Sequence, residues 1–214
     1  MLRSTIIASI ALGLSLAAAT FAHAEGYAGF RGGVNMASFS GEGTFSPKQA
    51  TIPSQEYPDP RTGFTGGMFL GFDKGTRFGF RADLLYTMKG GKNGEATIKL
   101  DYFEMAPLLV IRQSLSRQFG VRVFLGPVFG LFVNAEADNG PVDIDLGDIV
   151  EHFEASGTIG AELDMKAGPY ILLFDVRYTQ GTRVFEGEDL DGVTQDFNVS
   201  NTGLAIMAGV MVPF

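Results

Sequence analysis

The sequence predicts an all-β fold, an eight-stranded antiparallel up-and-down transmembrane β-barrel. Beyond residue 24, eight segments alternate apolar and polar residues with a period of two, which is the pattern of a strand with two different faces. The apolar faces of these segments carry no charged residue. The connections alternate between short and long, as expected of a barrel whose two ends lie in different compartments.

Residues 1–24 are predicted to be a cleaved secretory signal peptide. Arg3 supplies a positive start, residues 6–19 form an apolar run, and Ala22 and Ala24 provide the small residues before a cleavage site. The run is shorter than the roughly 20 residues that a helix needs to cross a membrane. No later stretch has 18 consecutive apolar residues, so any further membrane contact must be made by strands. The barrel is therefore expected to span residues 25–214.

The composition excludes several classes of function. The chain has 214 residues, with 16 Lys and Arg against 24 Asp and Glu and no Cys. An acidic chain is not expected to bind nucleic acid, whose phosphates attract basic surfaces. The lack of Cys excludes disulfides and cysteine-ligated metal sites. With 45% hydrophobic residues the chain is too apolar to be disordered, so it must bury its apolar surface or cover it with lipid.

Each predicted strand has an apolar face made of every second residue. These apolar sets begin at Ala28, Phe64, Phe78, Leu100, Val121, Ala155, Tyr170 and Leu204. The fourth set changes parity between Tyr102 and Met105, which predicts a β-bulge there. The opposite faces carry Gly and charged residues. A soluble barrel that binds a ligand would turn the apolar face inward, whereas a transmembrane barrel turns it toward lipid.

Loop lengths and aromatic positions favour the transmembrane arrangement. Short connections are predicted at residues 73–76, 112–118 and 167–169, and long ones at 38–63, 89–97, 135–153 and 179–201. Aromatic residues gather near both ends of the strands, as two interfacial girdles would. They are Tyr27, Phe72, Phe78, Phe119, Tyr170 and Phe214 at the short-turn end, and Phe64, Tyr86, Tyr102 and Tyr178 at the long-loop end.

The C-terminal segment Leu204–Phe214 alternates and ends on an aromatic residue. Together with residues 29–36, 100–108 and 124–131, it resembles the small bacterial outer-membrane β-barrel family that is loosely called porin-like. The resemblance implies an outer-membrane location, periplasmic termini and four external loops. It also implies that Phe214 belongs to an assembly signal for the barrel assembly machinery, and that the partners are outer-membrane lipids and lipopolysaccharide. We expect a monomer.

An eight-stranded barrel has an interior only wide enough for its own side chains. We therefore expect the charged faces to form a network in the lumen, made of Arg31, Arg81, Asp83, Glu104, Arg122, Glu162, Asp175 and Arg177. Charges removed from water must pair, because their burial is costly. This network is interpreted as a plug of salt bridges, or alternatively as a gate whose pairs exchange to admit small ions.

Two of the long connections concentrate acidic residues. Residues 135–152 hold six acids and no Lys or Arg, and residues 182–197 hold five acids with Arg183 as the single base. A candidate cation cluster consists of Asp143, Asp145, Asp148, Glu186, Glu188, Asp189 and Asp191, since carboxylates bind Ca²⁺ and Mg²⁺. The spacing fits no known Ca²⁺ loop, so solvated loops without a resident metal or cofactor are preferred. The alternative is a weak Ca²⁺ or Mg²⁺ site that bridges these loops to lipopolysaccharide.

One group of residues has the composition of a catalytic set. His152, Glu154 and Ser156 share a strand face, and such residues can activate a hydroxyl. That face is predicted to be luminal, and residues two and four apart on a strand lie about 7 and 13 Å apart, so no direct relay is expected. We therefore predict a non-enzymatic, membrane-embedded scaffold that displays acidic loops for envelope integrity or surface contact. A narrow channel for small ions or solutes is the alternative, followed by a lipid-modifying enzyme.

Overall fold

The computed structural model describes residues 25–40, 59–73, 77–93, 96–138, 143–145, 153–183 and 200–214. The predicted signal peptide lies outside these residues. The described part contains nine strands: β1 (Glu25–Ser40), β2 (Asp59–Asp73), β3 (Phe78–Asn93), β4 (Ala96–Ser114), β5 (Phe119–Asp138), β6 (Asp143–Asp145), β7 (Phe153–Ala167), β8 (Tyr170–Arg183) and β9 (Ser200–Pro213). The short β6 pairs only with the end of β5.

The other eight strands form a closed antiparallel up-and-down barrel, as predicted. Each pairs with its neighbours along the chain, β5 pairs with β7, and β9 pairs with β1 to close the sheet. The closing seam extends to the last residue. The Gly26 amide donates to the Phe214 carbonyl oxygen at 3.0 Å, and the Phe214 amide donates to the Gly26 carbonyl oxygen at 2.8 Å.

The two faces of the barrel wall have opposite character. Outward-facing side chains are large and apolar, and many are about half exposed, such as Phe30 at 64%, Leu125 at 47% and Phe174 at 50%. Inward-facing side chains include the most deeply buried charged residues, such as Arg81 and Asp83. An exposed apolar belt around a charged interior is the arrangement of a barrel surrounded by lipid.

Within the described residues, no helix is long and apolar enough to cross a membrane.

The predicted bulge in the fourth strand is wrong. Strand β4 alternates without interruption from Ile98 to Val110, so the side chains of Leu100 and Tyr102 are buried inside the barrel. The irregularity lies in β5 instead, where Asp101 is opposite Asn134 and Tyr102 is opposite Phe132, which leaves Val133 as the extra residue. The error arose because apolar side chains also occur in the lumen, so apolar character alone does not identify the lipid face.

Two of the predicted girdle residues also lie inside the barrel. Tyr27 is 3% exposed and Tyr102 is 0% exposed, and neither faces outward. Aromatic pairs do occur on the outer surface, in line with the other predicted positions. Their ring centroids are 5.7 Å apart for Phe72 and Phe80, 5.5 Å for Tyr86 and Phe103, and 6.0 Å for Phe129 and Phe153.

Candidate functional site in the barrel lumen

The middle of the lumen is occupied by four arginines and four carboxylates, here called the central network. Its members are Arg31, Arg81, Arg122, Arg177, Asp83, Glu162, Asp164 and Asp175. No side chain among them is more than 5% exposed. They come from β1, β3, β5, β7 and β8, so the network connects strands across the barrel. Its formal charges balance, which is the condition under which buried ions are tolerated.

Glu162 on β7 is the centre of one half of this network. Its Oε2 lies 2.8 Å from Arg81 Nη1 and 3.2 Å from Arg31 Nη2, and its Oε1 lies 2.9 Å from Arg122 Nη1. Arg122 Nη1 also lies 3.0 Å from Asp164 Oδ1. One carboxylate therefore joins three arginines from three different strands.

Arg177 on β8 is the centre of the other half. Its Nη2 donates to Asp83 Oδ2 and Asp175 Oδ2, both at 2.9 Å. Asp83 Oδ1 lies 2.8 Å from Arg81 Nε, and Arg31 Nη1 donates to Asp175 Oδ2. These shared partners make the two halves one continuous structure.

Aromatic rings fill the space around the guanidinium groups. Arg31 lies over Phe69 at 4.1 Å, Arg81 and Arg177 lie over Phe124 at 4.7 and 5.0 Å, and Arg122 lies over Tyr27 at 5.1 Å. These cation–π contacts partly replace lost hydration. Glycines on the inner face provide the room. A Cβ at Gly160 would lie 2.3 Å from Phe124 Cζ, and one at Gly71 would lie 2.5 Å from Tyr27 Cζ.

A second group of charges, the upper cluster, lies toward the long-loop end and consists of Lys89, Glu104 and Glu154. Lys89 Nζ lies 2.7 Å from Glu104 Oε1 and 2.9 Å from Glu154 Oε1. Thr87 Oγ1 donates to Glu104 Oε2 at 2.8 Å, and Asn201 Nδ2 donates to Glu154 Oε2 at 3.2 Å. Lys89 also lies over the Tyr102 ring at 4.9 Å.

The structure brings seven of the eight predicted network residues together and separates one. Glu104 belongs to the upper cluster, whereas the other seven join the central network, which also includes Asp164. Sequence reasoning missed Lys89 because it assigned this residue to a loop. The available signal was its position on the same parity as Arg81 and Asp83.

A small polar cavity separates the central network from the upper cluster. Arg177, Lys89 and Glu104 border it, and its other lining residues include Asn35, Thr65, Thr87, Thr179 and Asn201. The volume that the centre of a water molecule can occupy in this cavity is about 20 Å³. This is enough for about one water molecule and too small for an organic solute.

The candidate catalytic set has a different geometry from the one expected. Ser156 Oγ donates to Glu154 Oε1 at 2.7 Å, so the expectation that the spacing along the strand is too long for a direct relay is wrong for this pair of residues. The long Glu side chain spans the distance between the two backbone positions. Both side chains are buried in the lumen, away from the lipid. His152 lies outside the described residues.

The predicted cation cluster lies mostly outside the described residues. Asp143 and Asp145 lie on β6, opposite Asp138 and Glu136 of β5. Asp148, Glu186, Glu188, Asp189 and Asp191 are not described. In the described ranges, no three His, Cys, Asp or Glu side chains are grouped so that they could hold a metal ion.

The comparison with protein families agrees with this architecture. The sequence model of the family described as outer membrane protein beta-barrel domain matches residues 25–183. No curated protein sequence matches the chain. Among solved structures, the chain is similar to Ail, the attachment invasion locus protein of Yersinia pestis, with 14% identity, a TM-score of 0.43, and coverage of 87% of this chain and 99% of Ail. Neisserial surface protein A has 17% identity and a TM-score of 0.48, over 88% and 97% of the two chains. OprG from Pseudomonas aeruginosa has 12% identity and a TM-score of 0.45, over 90% and 97%.

Proposed function

Since the chain belongs to the outer membrane protein beta-barrel domain family, and so to the bacterial outer membrane, we propose that it is a closed, non-enzymatic scaffold. Its barrel anchors acidic external loops that serve envelope integrity or surface contact. We propose an orientation with both termini and the short turns on the periplasmic side, as in the up-and-down topology of outer-membrane barrels. Catalysis on lipid receives no support, because the Glu154 and Ser156 side chains are enclosed by the barrel wall.

The observation that supports a closed scaffold is the central network. It contributes eight buried charged side chains to the middle of a lumen that is already narrow. Aromatic and aliphatic residues pack below it, in a cluster of Tyr27, Phe69, Ile171, Leu173 and Met211. A solute would have to displace ion pairs and packed rings together.

Planar bilayer recordings on the purified chain of residues 25–214 test this proposal. We expect no stable large conductance, because the cavity beside Arg177 holds about one water molecule. A matched variant, Arg177→Ala with Asp175→Ala, removes one charge of each sign and so keeps the network neutral. It should increase brief, small openings. Stable large channels in the unmodified protein would contradict the closed barrel.

The role of the acidic loops needs a test in cells. Residues 135–152 and 182–197 contain eleven acids and one base, so these two segments are strongly anionic in sequence. A deletion strain should be complemented with the unmodified protein or with a variant in which these acids are changed to Asn and Gln. We expect the variant to reach the membrane but to lose surface contact or resistance to detergent. Full complementation by the variant would argue against a role for the loop charge.

A narrow ion-permeable pore is a second candidate, because the polar cavity beside Arg177 extends the hydrophilic part of the lumen. In this case the upper cluster would control ion entry. Substitution Lys89→Met would leave Glu104 and Glu154 without their shared cation. It should then raise cation conductance above that of the unmodified protein. No change in conductance would leave the pore without support.

We also propose that residues 1–24 are removed on export and that Phe214 takes part in recognition by the assembly machinery. The hydrogen bonds between Phe214 and Gly26 support a role for the last residue in closing the barrel. Sequencing the N-terminus of the membrane-extracted protein should find Glu25 as the first residue. Deletion of Phe214 should lower the amount of folded protein in the membrane, and normal amounts would contradict its role.

A further inference from the structure

We propose that the short-turn end of the barrel binds the anionic phospholipid headgroups of the surrounding membrane leaflet. The contact is made by a basic ridge formed by Arg77, Arg117 and Lys166. The assignment of this leaflet to the periplasmic side rests on the orientation proposed above. The binding itself depends only on the position of these residues relative to the lipid-facing belt.

Charge is distributed unequally along the barrel axis. Around the three short turns the basic residues are Lys74, Arg77, Arg112, Arg117 and Lys166, and the acidic one is Asp73. Glu25, which pairs with Asp73 at the start of β1, adds a second acid at this end. Two of the long connections have the opposite sign, with eleven acids and one base in residues 135–152 and 182–197. A basic end attracts anionic lipid, with about 1 kcal/mol for each Lys or Arg near such a surface.

Backbone hydrogen bonds hold the turns next to one another. The Arg112 amide donates to the Arg77 carbonyl oxygen at 2.7 Å, and the Lys166 amide donates to the Gln118 carbonyl oxygen at 2.9 Å. Within the turn that contains Arg117, Ser116 Oγ accepts hydrogen bonds from the amides of Gln118 and Phe119. The three cations of the ridge therefore lie on a fixed rim and not on independent loop tips.

The ridge lies at the depth of the lipid headgroups. Phe78, Phe119 and Tyr170 are 58%, 41% and 51% exposed and mark the edge of the lipid-facing belt. Arg77 directly precedes Phe78, Arg117 is two residues before Phe119, and Lys166 is next to Ala167, which pairs with Tyr170. With a rise of about 3.3 Å per residue, the backbone positions of the basic residues lie within roughly 7 Å of those of the aromatic residues along the barrel axis. This is where aromatic and basic anchors meet phosphates.

The ridge cations are available for an external partner. Arg77, Arg117 and Lys166 are all exposed, and none forms an ion pair with a carboxylate in the part of the chain that the structure describes. The arginines of the central network, in contrast, are all paired. Leu115 in the same rim is 63% exposed, and an apolar side chain beside cations suits a lipid surface better than a soluble anion.

The test measures lipid selectivity of the folded barrel in phosphatidylcholine vesicles by electron spin resonance. The fraction of each spin-labelled lipid that is bound to the protein is measured separately for phosphatidylglycerol and for phosphatidylcholine. The ratio of these two fractions is the lipid selectivity. For the unmodified barrel we expect the ratio of bound phosphatidylglycerol to bound phosphatidylcholine to be above about 2. A basic residue that contributes about 1 kcal/mol favours an anionic lipid about fivefold at the ridge itself. The measured ratio is smaller because it averages over all lipids that surround the barrel. The ratio should fall toward 1 in the double variant Arg117→Gln/Lys166→Gln, which removes two of the three ridge cations. It should also fall in 0.5 M NaCl, where the Debye length shortens to about 4 Å.

A matched control removes two cations from the other end of the barrel, Lys92→Gln/Lys99→Gln. It should keep most of the selectivity, because acidic loops already dominate that end. The proposal is overturned if the unmodified barrel has no preference for phosphatidylglycerol, or if the control loses as much selectivity as the ridge variant. It is also overturned if the ridge variant loses binding to peptidoglycan while its lipid selectivity is unchanged. The heat-dependent shift in gel mobility checks that each variant is folded. If the proposal of a closed scaffold is wrong, the bilayer conductance will show it, and the lipid selectivity ratio will not change.

Discussion

Replacing Glu162 with Gln tests how far the barrel depends on its central network. The substitution keeps the shape of the side chain and removes one negative charge from a site where three arginines lie within 3.2 Å of its carboxylate oxygens. The remaining network would contain four arginines and three carboxylates. One positive charge would then lack a partner in a lumen where the arginine side chains are at most 5% exposed.

The expected loss in the free energy of unfolding is about 3–5 kcal/mol, the range for breaking a buried ion pair by removing one partner. The lower end of the range applies if the Gln carbonyl oxygen keeps one of the three arginine contacts. Urea titration in lipid vesicles, followed by the circular dichroism of the β-sheet, measures the change. Asp59→Asn is the matched control, since Asp59 is exposed on β2 and its neutralisation should change stability by less than about 0.5 kcal/mol.

A double-mutant cycle separates charge imbalance from lost packing. Adding Arg122→Gln to Glu162→Gln removes one charge of each sign and leaves three arginines with three carboxylates. The loss in the free energy of unfolding of the double variant should be smaller than the sum of the two single losses by about 1–3 kcal/mol. If Glu162→Gln costs no more than Asp59→Asn, or if the two substitutions are simply additive, then the network does not act as a balanced unit and the reasoning fails.

Three other predictions concern the wall, the inner glycines and the loops. Leu125→Arg or Val176→Arg on the lipid face should lower the free energy of unfolding by about 2–4 kcal/mol near the membrane midplane; urea titration in vesicles measures this, with Leu125→Phe as an apolar control. Gly160→Val should cost about 1–3 kcal/mol by overpacking, because its Cβ would meet Phe124 Cζ at 2.3 Å, and an unchanged titration midpoint would refute the close approach. Calorimetry with millimolar Ca²⁺ should register no heat if the acidic loops are only solvated, and a saturable signal would instead support a weak cation site.

The lipid face could be predicted from the sequence because hydrocarbon excludes charge on every strand. The interior could not, since a narrow lumen accepts both ions and rings. In sequence, Leu100 and Tyr102 look like two apolar residues on a lipid-facing strand surface, yet both are completely buried inside the barrel. Only the register of β4 against β3 and β5 reveals which way they point.

The upper cluster was missed for a related reason. Lys89 is followed by two glycines, a composition typical of a loop, but β3 continues through them to Asn93. Gly90 adopts a φ of 130°, and a Cβ there would lie 2.0 Å from the Ile98 carbonyl oxygen, so the strand tolerates only glycine at this point. Gly90 is thus needed within the strand and does not mark the end of the strand. Lys89 therefore still lies on the strand and points into the lumen.

The charges of the two clusters have different consequences for any ion that reaches them. The central network has four arginines and four carboxylates, so it offers no net attraction to either sign. The upper cluster has two carboxylates and one lysine, and it lies toward the acidic long loops. Small cations should therefore collect at this end of the lumen and stop at Arg177. At the opposite end the exposed cations of the basic ridge should attract anions. If the barrel is closed as proposed, each end favours a different class of partner and neither class passes through the middle.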